Sequence, residues 1–295
     1  MLDQAAGDQG FTRCGIVVKE DARGAAETLA ALVEGLQAVN VPAVVDKRTA
    51  EAFTTNLASV PLEEMGAHCD LMIVVGGDGT LLRASRVVLA DDLPVLGINL
   101  GRLGFMVDIA PKAAVETLQE ILQGRYREEH RFVLQASLDD VDLGVAINDV
   151  VIRHPEPVSM LEYVTYADGR LISHHRADGL IITTPTGSTA YALSANGPML
   201  HPATQALGLV PICPHTLSDR PLVLPADSVI EFRLVAPSDQ AIITLDGTDK
   251  INLGLGARLG VSRAEKPLRL IHPIDYDWYG ILRSKLSWGR EKPPL

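Results

Sequence analysis

Little in this chain suits it to a membrane, a secretory route or a nucleic acid. No apolar run approaches the ~20 residues of a membrane-spanning helix. The opening stretch, Met1-Leu2-Asp3-Gln4-Ala5-Ala6-Gly7-Asp8, has neither a basic n-region nor an apolar h-region, so no secretory signal is expected. Basic residues are outnumbered: 26 Lys and Arg stand against 37 Asp and Glu, a net charge of −11. That balance excludes the electrostatic footprint of a general nucleic-acid binder and leaves only local basic pockets. The three cysteines, Cys14, Cys69 and Cys213, are scattered and form no CxxC. They point to a chain kept in a reducing cytoplasm, with Cys14 and Cys69 as core residues. Internal repeats and low-complexity segments are also missing. What remains is ordinary globular material: 295 residues, 47% hydrophobic and 21% charged, enough for one large or two ordinary domains.

The chain is organised around Leu71-Met72-Ile73-Val74-Val75-Gly76-Gly77-Asp78-Gly79-Thr80. The apolar residues read as a buried strand of a parallel sheet. The residues that follow, Leu81 to Leu89, carry apolar positions at helical spacing. Strand, glycine turn and helix together allow backbone N–H groups to converge on phosphate at a helix N-terminus. Glycines there are expected to supply positive φ and close approach to a ligand. Asp78 does not suit a loop that only cradles phosphate, because its carboxylate repels the ligand. It suits a hydroxyl, a proton to be taken, or a metal bridging phosphates. The plain alternative is a tight turn in which the aspartate is a cap.

Around this stretch, strands and helices alternate. Strands are expected at Cys14–Val18, Val41–Val45 and Pro94–Asn99, with helices over Asp21–Val39, near Leu62–His68 and over Ala113–Leu122. This argues for an N-terminal α/β doubly wound (Rossmann-like) domain, whose ligands bind beyond the carboxyl ends of the strands. From Phe132 to about Ile271, short β-rich runs are split by turns such as Ala167-Asp168-Gly169-Arg170 and Asp246-Gly247-Thr248. A mainly antiparallel β C-terminal domain is therefore expected. The boundaries are drawn at 1–110 for the α/β domain and 111–274 for the β-rich one. Residues 275–295, with both tryptophans, are expected to pack back on the first domain, and residues 1–10 to form a loose tail.

Polar groups cluster twice in the second half. Asn148-Asp149 interrupts apolar strand residues, which is costly unless its groups are paired; a turn or bulge is the structural alternative. The stretch from His174 to Tyr191 is the densest. Arg176 and Asp178 precede a strand, and Thr183 to Thr189 give a hydroxyl-rich loop of a kind suited to ribose, amide or phosphate. His174-His175 suggests a metal site only weakly, since adjacent histidines on a strand face opposite ways and no third ligand is conveniently spaced. Arg83, Arg176 and Arg220 are the arginines available for phosphate or carboxylate, against the commoner role of a surface ion pair.

The ordered set of these blocks resembles the NAD kinases of the bacterial type, over about Gly15 to Trp288. The blocks are Gly76-Gly77-Asp78-Gly79-Thr80, Gly97 to Phe105, Asp178 to Tyr191, Pro214 to Leu222 and Ile271 to Tyr276. The first also occurs in diacylglycerol and sphingosine kinases; the set singles out the NAD kinases. The resemblance implies transfer of the γ-phosphate of ATP to the 2′-hydroxyl of the adenosine ribose of NAD, giving NADP. It implies a divalent cation such as Mg²⁺ carried on the ATP phosphates, with no metal held by the protein alone. It implies that Asp78 is the general base, and that Gly76, Gly77, Gly79 and Thr80 meet the ATP phosphates. NAD would be met by Asp78, Gly79, Arg83, Asn148 and Asp149, by Arg176 and Asp178 on the nicotinamide side, and by Thr189, Ala190, Tyr191, Ala192, Leu193 and Ser194 at the adenine end. Asp149 replaces a family Glu, and Ser159 and Thr248 stand where larger polar or basic residues are common. A homodimer or homotetramer is implied, with the nicotinamide contacts partly across a subunit boundary. Two other readings remain: a lipid kinase, which would need an acyl pocket and no Arg-Ala-Asp-Gly block, and a non-catalytic NAD(P) sensor.

Overall fold

A computed structural model describes residues 10–101, 104–156, 159–216 and 218–288. The tail expected at 1–10, apart from Gly10, lies outside the described residues, as do Arg102 and Leu103 of the second block and the last seven residues of the 275–295 segment. The chain divides into two compact units, Met1–His130 with Leu268–Leu295, and Arg131–Pro267.

The first unit is built on one seven-stranded sheet. In chain order its elements are β1 (Cys14–Val18), α1 (Ala25–Ala38), β2 (Ala43–Asp46), α2 (Lys47–Ala52), β3 (Ala58–Val60), α3 (Met65–His68), β4 (Leu71–Gly76), α4 (Asp78–Val88), β5 (Val95–Asn99), α5 (Ala114–Leu122) and β6 (Arg127–Arg131). The second unit follows, with β7 (Leu134–Leu138), β8 (Val141–Ala146), β9 (Asp149–Arg153), β10 (Leu161–Ala167), β11 (Arg170–Ala177), β12 (Gly179–Thr183), the single-turn α6 (Tyr191–Ser194), β13 (Ala206–Ile212), β14 (Leu222–Pro225), β15 (Ile230–Leu234), β16 (Gln240–Leu245), β17 (Thr248–Gly254) and β18 (Leu259–Arg263). The chain returns to the first unit through β19 (Leu268–His272) and α7 (Trp278–Leu286).

The sheet order of the first unit is β3-β2-β1-β4-β5-β19-β6. β1, β4 and β5 are buried at every residue, as parallel strands covered on both faces must be. The spacing predicts a stripe of Ala25, Leu29, Leu32, Val33, Leu36 and Val39; α1 buries Ala25, Leu29, Leu32 and Leu36 against the core that holds Ile16, Ile73 and Leu96, while Val33 is only partly buried and Val39, just past the helix end, is exposed. This helix begins later than Asp21 because Gly24 takes a left-handed φ of 81° just before it. The unit extends past residue 110: α5 packs on α1, and β19 pairs in parallel with β5 through Leu270↔Val95 and Ile271↔Leu96. Backbone pairing over such a distance leaves no local mark on the sequence, so residues 111–130 and 268–274 looked like part of the β-rich region. Trp278, Ile281 and Leu282 of α7 are buried.

The second unit consists of two six-stranded sheets, ordered β11-β10-β15-β18-β7-β8 and β14-β13-β12-β9-β16-β17. The strand pairs identified in both are antiparallel. Their alternating inward residues, among them Tyr163, Phe232, Ile152, Ile182 and Ile243, form one core. The chain passes from one sheet to the other at Asp178, between β11 and β12. Gly179 makes that corner possible, since a Cβ there would fall 2.1 Å from the carbonyl oxygen of Ile152.

Candidate functional site

In the order β3-β2-β1-β4-β5, the strands on either side of the β1–β4 boundary are reached in opposite directions. This is the topological switch point at which open α/β sheets bind ligands. A cavity of about 380 Å³ opens there, lined by Lys19, Glu20 and Asp21 after β1 and by Gly77, Gly79, Thr80 and Arg83 after β4. Sequence reasoning missed Lys19, Glu20 and Asp21, which follow a strand with no motif of their own. They are brought in because β1 and β4 are neighbours, with the Lys19 N–H donating to Val75 O at 2.9 Å.

The glycines of the turn do not act as expected. None of Gly76, Gly77 and Gly79 has a positive φ. Gly76 is required by packing, because a Cβ would fall 2.8 Å from Thr80 Oγ1. At Gly77 and Gly79 an added Cβ would meet nothing within 4 Å. Neither strain nor internal packing asks for glycine at these two, so what they keep open is space in the cavity.

Asp78 is the first residue of α4, behind the N-cap Gly77, and its side chain does not cap the helix. The carboxylate turns instead to three consecutive backbone donors. Oδ2 accepts from Phe105 N–H at 2.8 Å, and Oδ1 from Met106 and Val107 N–H at 3.1 and 3.2 Å. A carboxylate has about four acceptor sites. Among the described residues three are occupied, and the open one is on Oδ2. Gly104 lies against the same group, for a Cβ there would stand 2.0 Å from Asp78 Oδ1.

The second unit repeats this device. Asp246, in the Leu245-Asp246-Gly247-Thr248 turn, accepts from Ile147 N–H at 3.0 Å, Asn148 N–H at 2.7 Å and Asp149 N–H at 3.2 Å. Its role was not legible, since Asp-Gly-Thr reads as a turn. Asn148 and Asp149 are thereby fixed at the start of β9, next to the end of β12, where Thr184 N–H donates to Asn148 O at 2.9 Å. Asp149 is 4% exposed. Burial, and then the charge of Asp246, push its carboxyl up to about 7.

The hydroxyls of this loop are bonded to protein carbonyls rather than held out to a ligand. Thr183 donates to Asn148 O, Thr184 to Ile147 O at 2.6 Å, Ser188 to Pro185 O at 2.6 Å and Thr189 to Thr186 O at 3.1 Å. A buried loop must satisfy its polar groups, and the nearest carbonyls are its own and those of Ile147 and Asn148. Gly187 belongs to the same construction, since a Cβ would fall 2.1 Å from Asn148 O. Beyond it, Tyr191 is exposed while Ala192 is buried with Val151, Ile181 and Val210, so Ala192 offers a ligand only backbone. Thr189, Ala190 and Leu193 are partly buried and Ser194 is exposed. Thr248 donates to Leu245 O at 2.8 Å within its turn, and Ser159 is partly buried.

Arg176 and Asp178 lie at the far end of β12. Five strand residues lie between Asp178 and Thr184, six steps and a span of roughly 20 Å at ~3.4 Å per residue. The Arg176 side chain is 57% exposed, with Glu162 Oε2 at 3.8 Å from its Nε. The two histidines diverge as a strand requires: exposed His174 meets Glu162 at 3.0 Å, and His175 meets Ser173 Oγ at 2.9 Å and lies 3.7 Å from Asp219. Arg220 lines a separate cavity of the second unit with His175 and Asp219.

Comparison with known proteins gives a family match in each half of the chain. Residues 14–126 match the ATP-NAD kinase N-terminal domain and residues 147–273 the ATP-NAD kinase C-terminal domain. The chain is 42% identical over 286 residues to the NAD kinase of Coxiella burnetii, covering 95% of each. It is 42% identical over 287 residues to that of Nitrosococcus oceani, covering 95% of this chain and 98% of the relative. Among solved structures, yeast NADH kinase complexed with NADH superposes with a TM-score of 0.86 at 23% identity, covering 98% of this chain and 91% of that one. An NAD kinase from Archaeoglobus fulgidus in complex with ATP gives a TM-score of 0.76 at 24% identity, covering 92% of this chain and 99% of the other.

Proposed function

This chain belongs to the NAD kinase family, and on that premise we propose that it transfers the γ-phosphate of ATP to the 2′-hydroxyl of the adenosine ribose of NAD, giving NADP. The observation that carries the assignment of roles is the pairing, in one loop, of an open cavity lined by Lys19 and Arg83 with a carboxylate that keeps one acceptor site free among the described residues.

Phosphoryl transfer asks a protein for alignment and for compensation of charge on the transferring group. Gly77, Gly79 and Thr80 hold the donor phosphates in the cavity, and Lys19 and Arg83 supply the positive charge. The donor enters as its Mg²⁺ complex. Glu20 and Asp21 give the cavity hard oxygen donors that suit such an ion, which binds mostly to substrate phosphates and water. Asp78 takes the ribose proton at Oδ2, the oxygen with the vacant acceptor site, while its three backbone contacts hold the group still. Because the attacking hydroxyl is on the substrate, no covalent enzyme intermediate is needed.

NAD is bound along β12. Asn148 and Asp149, with Thr189 to Ser194, take the adenosine end, and Arg176 and Asp178 take the nicotinamide end. The separation of the two groups along the strand fits a dinucleotide lying lengthwise. The exposure of Arg176 supports a homodimer or homotetramer in which this residue also meets a neighbour's ligand. Three free thiols, two of them buried with their pKa pushed up to about 12 by burial, support a cytoplasmic location.

The direct test is purified protein with ATP, Mg²⁺ and NAD, with NADP read by a coupled dehydrogenase. NADP should accumulate with time and enzyme. Its absence would overturn the assignment, and turnover of sphingosine or diacylglycerol instead would move the chain to the lipid kinases.

A further inference from the structure

The three N–H groups that hold Asp78 belong to residues 105–107, and the next side chain, Asp108, is itself held. His272, at the end of β19, lies between two carboxylates, with Nδ1 3.2 Å from Asp108 Oδ2 and Nε2 3.2 Å from Glu129 Oε2. The ring is 1% exposed, and the side chains of Asp108 and Glu129 are 7% and 9% exposed. Tyr276 stacks on the imidazole with ring centroids 3.9 Å apart. The other oxygen, Asp108 Oδ1, is buried without a hydrogen-bond partner among the described residues, so His272 is its carboxylate's identified side-chain anchor. The next residue is tied as well, with Ile109 O accepting from Asn99 N–H at 2.8 Å.

We propose that His272 is a positioning residue for Asp78, acting through Asp108 to fix the 105–107 amides that orient the base. The proposal rests on Asp78 being the base. The chain of contacts runs from Glu129 through His272 to Asp108, along three peptide units, and onto the two Asp78 oxygens. An imidazole that meets a carboxylate oxygen at each nitrogen is best satisfied as the imidazolium, which donates at both. Burial pushes the His272 pKa down, but the hydrogen bonds and charges of Asp108 and Glu129 outweigh it, and the net direction is up. A neutral ring can donate to only one of the two acids. The buried charges would then repel, and where the remaining N–H goes to Glu129 the 105–107 turn would lose its tether. Misplacement of a base by about an ångström is worth up to ~10²-fold in rate.

The test uses two amide variants and a cycle. In His272→Asn the amide nitrogen stands near Nδ1 and keeps the Asp108 contact; in His272→Gln it stands near Nε2 and keeps only Glu129. Positioning predicts that H272Q lowers kcat ~10-fold with KM for NAD within about 2-fold, while H272N stays within about 3-fold of wild type. In an Asp78→Asn background, H272Q should change the residual rate by less than about 2-fold, because the pathway ends at Asp78. Equal loss of kcat in H272N and H272Q overturns the proposal, and so does an undiminished ~10-fold effect in the D78N background. Should H272Q fail to fold, Asp108→Ala replaces it in both arms with the same expectation, and normal kcat in D108A is equally fatal. Near-normal turnover of D78N alone would instead remove the base assignment, a different result from either of these.

Discussion

Oδ1 of Asp78 lies where a side chain on Gly104 would begin: a Cβ at that position would stand 2.0 Å from it. The glycine is needed for close approach rather than for a positive φ. Gly104→Ala should therefore displace the carboxylate and lower kcat by ~10–10²-fold with a smaller change in KM for ATP. Gly79→Ala should do the reverse, since its Cβ meets no protein atom within 4 Å but enters the cavity. Steady-state kinetics of both variants decide this, and a G79A enzyme with unchanged ATP dependence would show that the cavity is not the donor site.

Asp78→Asn keeps the shape of the side chain and removes the proton acceptor. The turnover rate should fall ~10²–10⁴-fold while NAD affinity changes little. Calorimetric titration with NAD beside single-turnover rates measures both quantities. Turnover near the wild-type rate would leave Asp78 as a fastening for residues 105–107 alone.

Asp149 makes stability depend on pH in an unusual direction. The unfolded chain releases this proton near the ordinary carboxylate value of ~3.9, whereas the folded protein holds it until about 7. Between these values the folded state binds more protons, so stability falls as pH rises and levels off above the folded value. Asp149→Asn does not titrate. Its stability relative to wild type should climb across this window and then remain constant, as read from urea midpoints in a pH series. A difference independent of pH would show that Asp149 is ionised throughout.

Asp246→Ala removes the acceptor for the Ile147, Asn148 and Asp149 amides. Leaving buried donors unpaired costs ~1–3 kcal/mol each, and part of that is recovered by water. The second unit should lose several kcal/mol of stability, and Asp246→Asn, which keeps one oxygen, should lose less. Chemical denaturation followed by tryptophan fluorescence would miss the change, because both tryptophans lie at 278 and 288, outside the second unit. Far-UV circular dichroism reads the sheets directly.

His272 has the opposite linkage sign to Asp149. Its folded pKa is raised, so its stabilising contribution is complete below ~6.5 and is lost as pH rises through the folded value. The groups facing the ring are Asp108, Glu129 and Tyr276. Melting temperatures of wild type and His272→Asn should therefore converge on the alkaline side, and parallel curves from about pH 6 to 9 would count against an imidazolium.

The local patterns of the sequence determined a good deal. Five buried apolar residues running into glycine mark β4, and the spacing of Ala25, Leu29, Leu32 and Leu36 marks α1, because burial on two faces or on one stripe dictates residue type position by position. The blocks of the NAD kinase family were legible for the same reason: each is a short segment whose residues act together. The tertiary structure alone decided the partners. It set Lys19 beside Gly77 by pairing β1 with β4, and drew β19 back to β5 across more than 160 residues. It turned Asp78 toward the amides of 105–107 and Asp246 toward those of 147–149. It also turned the hydroxyls of Thr183 to Thr189 inward, where the sequence offered them to a ligand. A carboxylate or a hydroxyl bonds whatever complementary group is nearest in space, and backbone amides, which every residue carries, leave no trace in the sequence of where they will be.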